Sequence, residues 1–298
     1  MCRTLIPIMN ESQTRPWVGH LFAIIGVIAW GTSFLVSKSL MIKLTPVQLM
    51  WLRFVIAYLA LWVICPKWRF DWKEELLFLL LSLVGNTLYF LAENTALQMT
   101  QATNVSILVS TAPILSALLL RFFGENEKLT RRKVFGFVTA FLGVMLIVFN
   151  GVFVLKLNPV GDVLALAAAL LWAIYGFLAR RMLEKLNSSL VTRKLMFYGF
   201  LSTTPLLLCE AREIPLQFTL GFGDVCSLLY LGLICSAVCY LLWNRAIYQI
   251  GALKTNLYVY FVPLITMLAS AVFLKENITA TGFIGIVLVI GGMVLIFL

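Results

Sequence analysis

The sequence predicts an all-α integral membrane protein of ten transmembrane helices, arranged as two inverted five-helix repeats. Three observations carry this: an apolar composition, apolar runs close to twenty residues long, and a stretch of chain that is written twice. Of 298 residues, 61% are hydrophobic and 12% charged, whereas about a quarter are charged in soluble domains. Residues 21–37 and 277–298 carry no charge, and a helix needs about 20 apolar residues to cross about 30 Å of hydrocarbon. Runs of this length without strict alternation do not fit membrane strands of about ten residues, so they are assigned as helices.

The duplicated stretch is 93–148. At an offset of 150 residues, Asn94-Thr-Ala96 meets Asn244-Arg-Ala246, Ala102 meets Ala252 and Pro113 meets Pro263. One residue is then lost in a loop of the second copy. At an offset of 149, Glu127-Lys-Leu-Thr130 meets Glu276-Asn-Ile-Thr279, Gly136 meets Gly285, and Gly143-Val-Met-Leu-Ile meets Gly292-Met-Val-Leu-Ile. Identities in fixed order across a deletion point to an internal repeat. The front halves match more loosely, with Trp30-Gly31 on Trp172-Ala173 and Lys38 on Arg180.

In chain order, the apolar runs give spans at 18–37, 45–65, 75–98, 101–122 and 134–154 in a first repeat (18–154), and at 161–179, 190–209, 224–248, 252–274 and 279–298 in a second (155–298). Residues 1–17 read as a polar cytoplasmic tail without the apolar run and small-residue site of a cleaved leader, so the first span is expected to persist. With the N-terminus inside, 17 of the 23 Lys and Arg residues fall in cytoplasmic segments, among them Arg131, Arg132, Lys133, Arg193, Lys194 and Arg245. That bias predicts both termini cytoplasmic. Five spans per copy is an odd number, so the second copy must enter the membrane in the opposite sense, as in many secondary transporters.

The rest of the composition narrows the function classes. The six cysteines lack Cys-x-x-Cys spacing and read as small apolar fillers. His20 is the only histidine, so no histidine-based metal or catalytic site is expected, and no cofactor. The net charge of +10 falls in short loops between spans and reflects topology, with membrane lipid and not nucleic acid as the partner.

The ordered set of Trp30-Gly31, Arg53-Phe54 and, in each half, an Ala, a mid-span Pro and a loop Glu-x-[Leu/Ile]-Thr before a Gly-rich span resembles the EamA-type branch of the drug/metabolite transporter superfamily. The likeness runs from about Leu21 to Leu298. It implies a ten-helix carrier in a bacterial plasma membrane and, as in many members, export of an amino acid or similar small metabolite. Import of a vitamin or nucleoside-like solute in the same fold is the alternative, and a membrane-embedded enzyme or receptor a remote one. No ATPase motif is present, and no constellation of an enzyme lies inside the spans, so a secondary carrier with a small amphipathic substrate is expected. A proton is a candidate coupled partner.

Candidate substrate-binding residues follow from polar and aromatic faces inside the spans. Pro113 and Pro263 each free the carbonyl four residues back, at Val109 and Val259, which must face a neighbouring helix, water or a cavity. Thr103, Ser106 and Ser110 share a face with Pro113, and Asn256 and Tyr260 repeat the pattern with Pro263. Asn86, Tyr89 and Glu93 form one stripe, and Ser236, Tyr240 and Trp243 another. Trp30, Ser33, Trp172 and Tyr175 are offered as walls. Glu93 is the acid placed deepest, about 25 Å along the third span at about 1.5 Å per residue. It is expected to pair with Arg53, to meet a substrate amine or take up a proton, or to lie exposed at the outer interface. Glu127 and Glu276 are assigned to loops, each before a Thr able to cap the next helix, and the four repeat glycines to close packing of the fifth and tenth spans.

Overall fold

A computed structural model describes residues 16–66, 70–100, 102–123, 130–149, 158–212, 220–273 and 278–297. Among these every regular element is helical. The tail 1–15, the loop residues Glu127, Glu276, Lys128 and Lys156, and the Thr103 side chain lie outside the described residues.

Helix starts are set by local hydrogen bonding of the otherwise orphaned amides. Helix α1 spans Pro16–Leu40. Helix α2, Pro46–Ile64, begins at a capping box in which Thr45 Oγ1 accepts from Gln48 N and Gln48 Oε1 from Thr45 N, both at 3.2 Å. Helix α3, Trp72–Ser82, is capped by Asp71 and runs through a π-helical turn, Leu83–Leu88, into α4, Tyr89–Met99. Helices α5, Ala102–Val109, and α6, Ala112–Phe123, are halves of one span broken just before Pro113. Helix α7, Arg131–Phe149, follows Thr130, whose Oγ1 accepts from Lys133 N at 3.3 Å.

Helix α8, Pro159–Leu183, starts on Asn158, and α9, Ser188–Glu210, on Asn187. Helix α10, Phe222–Leu229, continues through a longer π-helical stretch, Tyr230–Val238, into α11, Cys239–Ile250. Gly221 N donates to Asp224 Oδ2 at this start, so that acid caps the helix. Asp162 does not cap; it accepts from Thr100 Oγ1 at 3.1 Å. Helix α12, Ala252–Leu257, leads through a 3-10 turn, Tyr258–Tyr260, to α13, Phe261–Phe273, and α14, Ala280–Phe297, begins after Thr279.

Nine of the described helical stretches are long and apolar enough to cross a membrane, against ten expected. The exception is α9. At 23 residues it is long enough, but Arg193, Lys194 and its Ser and Thr residues lower its hydropathy. The expectation that Arg193, Lys194 and Arg245 are loop charges is corrected: all three are buried in helices. Arg193 donates to Cys65 O and lies 4.7 Å over the Trp62 ring. Lys194 pairs with Glu75, which also accepts from Tyr198 at 2.6 Å. The reading of all cysteines as fillers needs one amendment as well, because Cys65 is disulfide-bonded; Cys209, Cys226, Cys235 and Cys239 are free.

The contacts between loop ends show how the helices run. At one end of the bundle Lys43 pairs with Asp224 at 2.6 Å and Thr45 donates to Glu210 at 2.7 Å. At the other, Lys194 meets Glu75, and His20 Nδ1 lies 2.8 Å from Tyr258 Oη. Helix α9 therefore reaches from one end to the other. Around the circumference Leu59, Val63, Val163, Leu208 and Phe283 are each more than half exposed, an apolar surface that suits hydrocarbon and not water.

The main pairings are α7 with α14, α2 with α9, α1 with α11, α4 with α8, α1 with α13, and α6 with α8. The seam between α7 and α14 is the tightest because glycines meet backbone. A Cβ at Gly143 would stand 2.7 Å from Gly285 O, and one at Gly285 2.6 Å from Gly143 O. The same reciprocity joins Gly136 to Gly292 O at 2.7 Å and Gly292 to Gly136 O at 2.6 Å. Small residues let backbones approach where hydrophobic expulsion offers no drive between helices.

Gly285→Val is expected to lower the melting temperature of the purified protein by an overpacking cost of about 1–3 kcal/mol. Gly291→Ala is the control, since a Cβ there meets nothing within 4 Å. Equal melting temperatures for the two variants would refute the seam.

Candidate functional site

Seven helical stretches converge on a cavity. The atom-free space here, open solvent beyond the mouth included, is about 780 Å³. The walls are aromatic: Trp30 on α1, Tyr89 and Phe90 on α4, Trp172 on α8 and Tyr240 on α11. Trp30 and Trp172 meet edge to face at 5.4 Å, and Tyr89 lies 5.1 Å from Trp172. Polar groups enter from Ser33 and Ser37 on α1, Asn94 on α4, Ser106 on α5 and Ser110 in the break after it. The lining extends to Ser37, Leu97 and Ser106, toward the bundle end that carries Lys43 and Thr45.

The two helix interruptions behind Pro113 and Pro263 bring Val109 and Val259 to this same cavity. The π-helical stretches add a second pair of related features. In α11's approach, Cys235 O accepts from Trp30 Nε1 at 3.0 Å; in α4's approach, Gly85 O accepts from Tyr240 Oη at 3.1 Å. Gly85 and Cys235 stand 150 residues apart, the offset of the internal repeat. Each π-helical carbonyl is thus held by an aromatic donor from a neighbouring helix, which fixes two of the cavity's rings. No periodicity in the sequence signals these widened turns.

Two opposite charges line the cavity. Arg53 and Glu93 are each 5% exposed. They do not form the ion pair that was one expectation. Arg53 Nε donates to Ser236 Oγ at 3.2 Å, and the guanidinium lies 4.7 Å over the Phe90 ring. Glu93 Oε1 accepts from Tyr89 Oη at 2.6 Å. The alternative that Glu93 lies exposed at an interface is also excluded by its burial.

The remaining expected residues lie beside the cavity in a closed layer. Tyr175 Oη donates to Asn244 Oδ1 at 2.6 Å, and Asn244 Nδ2 to Thr192 Oγ1 at 2.9 Å. Asn256 donates to Ser116, and Asn86 Nδ2 donates to Leu195 O at 3.0 Å. Trp243 and Tyr260 are fully buried, and Pro113 and Pro263 are buried without lining the open space. Sequence reasoning missed Ser37, Phe90, Asn94, Leu97 and Val262 as lining. Ser37 and Asn94 were within reach: Ser37 is one turn beyond Ser33, and Asn94 is an identity of the repeat.

The model of the EamA-like transporter family matches the chain twice, over residues 17–149 and 159–298. A protein of Archaeoglobus fulgidus described as an uncharacterized transporter is 32% identical over 282 residues, covering 93% of this chain and 96% of the relative. A probable amino-acid metabolite efflux pump of Escherichia coli K12 is 22% identical over 281 residues, covering 92% of each. A solved crystal structure, 17% identical, superposes with a TM-score of 0.77 over 95% of this chain and 98% of that one; this likeness concerns the fold.

In a background lacking the native free cysteines, Ser106→Cys should react readily with a small polar thiol reagent, and Tyr260→Cys, at a site with no exposed surface, far more slowly. Equal rates would show that the open cavity and closed layer are misassigned.

Proposed function

We propose that this chain, which belongs to the EamA-like transporter family, is a secondary exporter of a small amphipathic metabolite, an amino acid or similar solute. The single observation that carries the reading is one cavity, aromatic in its walls and polar at a few points, set where helices are interrupted. Such discontinuous helices place backbone carbonyls at a midplane solute site in carriers. The candidate binding groups are Trp30, Ser33, Arg53, Tyr89, Glu93, Ser106, Ser110, Trp172 and Tyr240.

Two inverted five-helix repeats, 18–154 and 155–298, form the moving parts. The double match of the family model supports the division. So does the pairing of helices, because α1 against α11 and α8 against α4 exchange under the repeat offset, while α7 against α14 and α2 against α9 map onto themselves. Helix α9, reaching from Glu75 to Thr45, supplies the tenth crossing. With both termini cytoplasmic in a bacterial plasma membrane, the mouth beside Ser37 and Leu97 faces outward, the state from which an exporter releases its solute. The layer of Tyr175, Asn244, Trp243, Asn256 and Tyr260 then closes the inner path and lines it once the repeats rock the other way. Trp243 Nε1 and Tyr260 Oη have no hydrogen-bond partner among the described residues, which favours a second arrangement that satisfies them.

The test is solute counterflow in vesicles reconstituted with the purified protein, screened across amino acids, nucleosides and vitamins. Saturable exchange of one class supports the reading, and a folded protein that exchanges none of them refutes it. For orientation, Lys38→Cys should react with an impermeant thiol reagent on intact cells and Arg132→Cys only after permeabilisation. The reverse pattern would invert the topology and make the open state inward-facing.

A further inference from the structure

We propose that the cavity is a charge clamp for a zwitterion: Arg53 takes the carboxylate of the solute and Glu93 its ammonium, with the apolar body against Trp30, Trp172 and Tyr240. This rests on the transporter reading and names the substrate class of its site.

The inference starts from two buried charges of opposite sign that share a cavity without joining. An ionised group inside a membrane is costly unless it is paired or wet, and Arg53 and Glu93 are the nearest means of neutralising each other. Instead each is fixed by a neutral hydroxyl. Ser236 Oγ holds Arg53 Nε on one side of the guanidinium, and the Phe90 ring packs on its face at 4.7 Å. Tyr89 Oη holds Glu93 Oε1. These partners set the direction of each side chain and neutralise neither charge. Arg53 keeps the planar fork of donors that matches a carboxylate, and Glu93 keeps a second oxygen for a cation.

An independent observation points to the same occupant. Asn94 is 3% exposed, lines the cavity, and its Nδ2 has no partner among the described residues. Its counterpart in the repeat, Asn244, is bonded to both Tyr175 and Thr192. A buried amide donor left open beside a cavity costs stability, and a ligand oxygen satisfies it. A solute with one charge would leave either Arg53 or Glu93 without a counter-charge; a solute with none would leave both. A molecule carrying both charges discharges the site without a proton having to move onto Glu93.

The clamp is tested by calorimetric titration of the purified protein with three probes of one shape: phenylalanine, phenethylamine and 3-phenylpropanoate. Phenylalanine is expected to bind at least tenfold more tightly than either analogue. Glu93→Gln should weaken phenylalanine and phenethylamine at least tenfold and leave 3-phenylpropanoate unchanged, and Arg53→Gln should do the converse. The clamp is overturned if a single-charge analogue matches phenylalanine, if none of the three binds, or if each variant weakens all probes alike. Melting temperatures report whether the variants fold; where they do not, the wild-type ranking alone decides. Vesicle exchange separates the two readings. Exchange of a solute with one charge or none keeps the transporter and overturns the clamp, whereas the expected ranking in a protein that exchanges nothing keeps the clamp as a binding site without transport.

Discussion

Everything in this molecule answers to one constraint: inside hydrocarbon there is no water to satisfy a backbone amide or carbonyl, so each must find a partner within the protein. Continuous helices meet it automatically, which is why the described residues form little else. Exceptions are therefore informative. The chain departs from regular α-helix near Pro113, near Pro263, at Leu83–Leu88 and at Tyr230–Val238, and all four departures adjoin the same cavity. The backbone irregularity and the polar interior have a common cause, because the groups released by one need the environment supplied by the other.

The same constraint explains how the aromatic walls hold their geometry. Trp30 and Tyr240 each spend their single polar hydrogen on a π-helical carbonyl. This removes the ring's own demand for water and locks it edge-on to its neighbours. The cavity is thus apolar in surface and rigid in shape, while its few polar functions belong to Arg53, Glu93, Asn94 and the serines, and of these Asn94 Nδ2 has no partner among the described residues.

Much of the helical fold was legible in the sequence because hydrophobic length acts locally, and because the same motifs occur in both halves of the chain. Thr130 and Thr279 as caps and the four glycines of the α7 and α14 seam fall where periodicity put them. The cations of α9 were harder, since Arg193 and Lys194 read as loop charges until their partners elsewhere in the chain, Cys65 and Glu75, are known. For the site, residue type and helical face brought out Trp30, Ser33, Arg53, Tyr89, Glu93, Ser106, Ser110, Trp172 and Tyr240. Periodicity says which residues share a face, and not how far along the bundle the open space extends; Tyr175, Asn244, Asn256 and Tyr260 share faces with lining residues yet lie in the closed layer. Whether Arg53 and Glu93 touch depends on rotamers set by Ser236 and Tyr89, which no spacing rule contains.

The charges of α9 also bear on how the protein is made. Lys or Arg opposes insertion by about 2.5–3.5 kcal/mol each at the centre of a span and by less toward its ends; Arg193 and Lys194 stand in the second turn of α9, and with its Ser and Thr residues they make α9 alone a weaker candidate for partition into lipid than the other helices. Its counter-charge at Glu75 and the carbonyl of Cys65 that receives Arg193 belong to chain synthesised more than a hundred residues earlier. Helix α9 can thus be admitted to the bilayer as a guest of helices already there. The place of α9 in the bundle depends on assembly order as much as on its own composition, and the first half of the chain serves as its solvent.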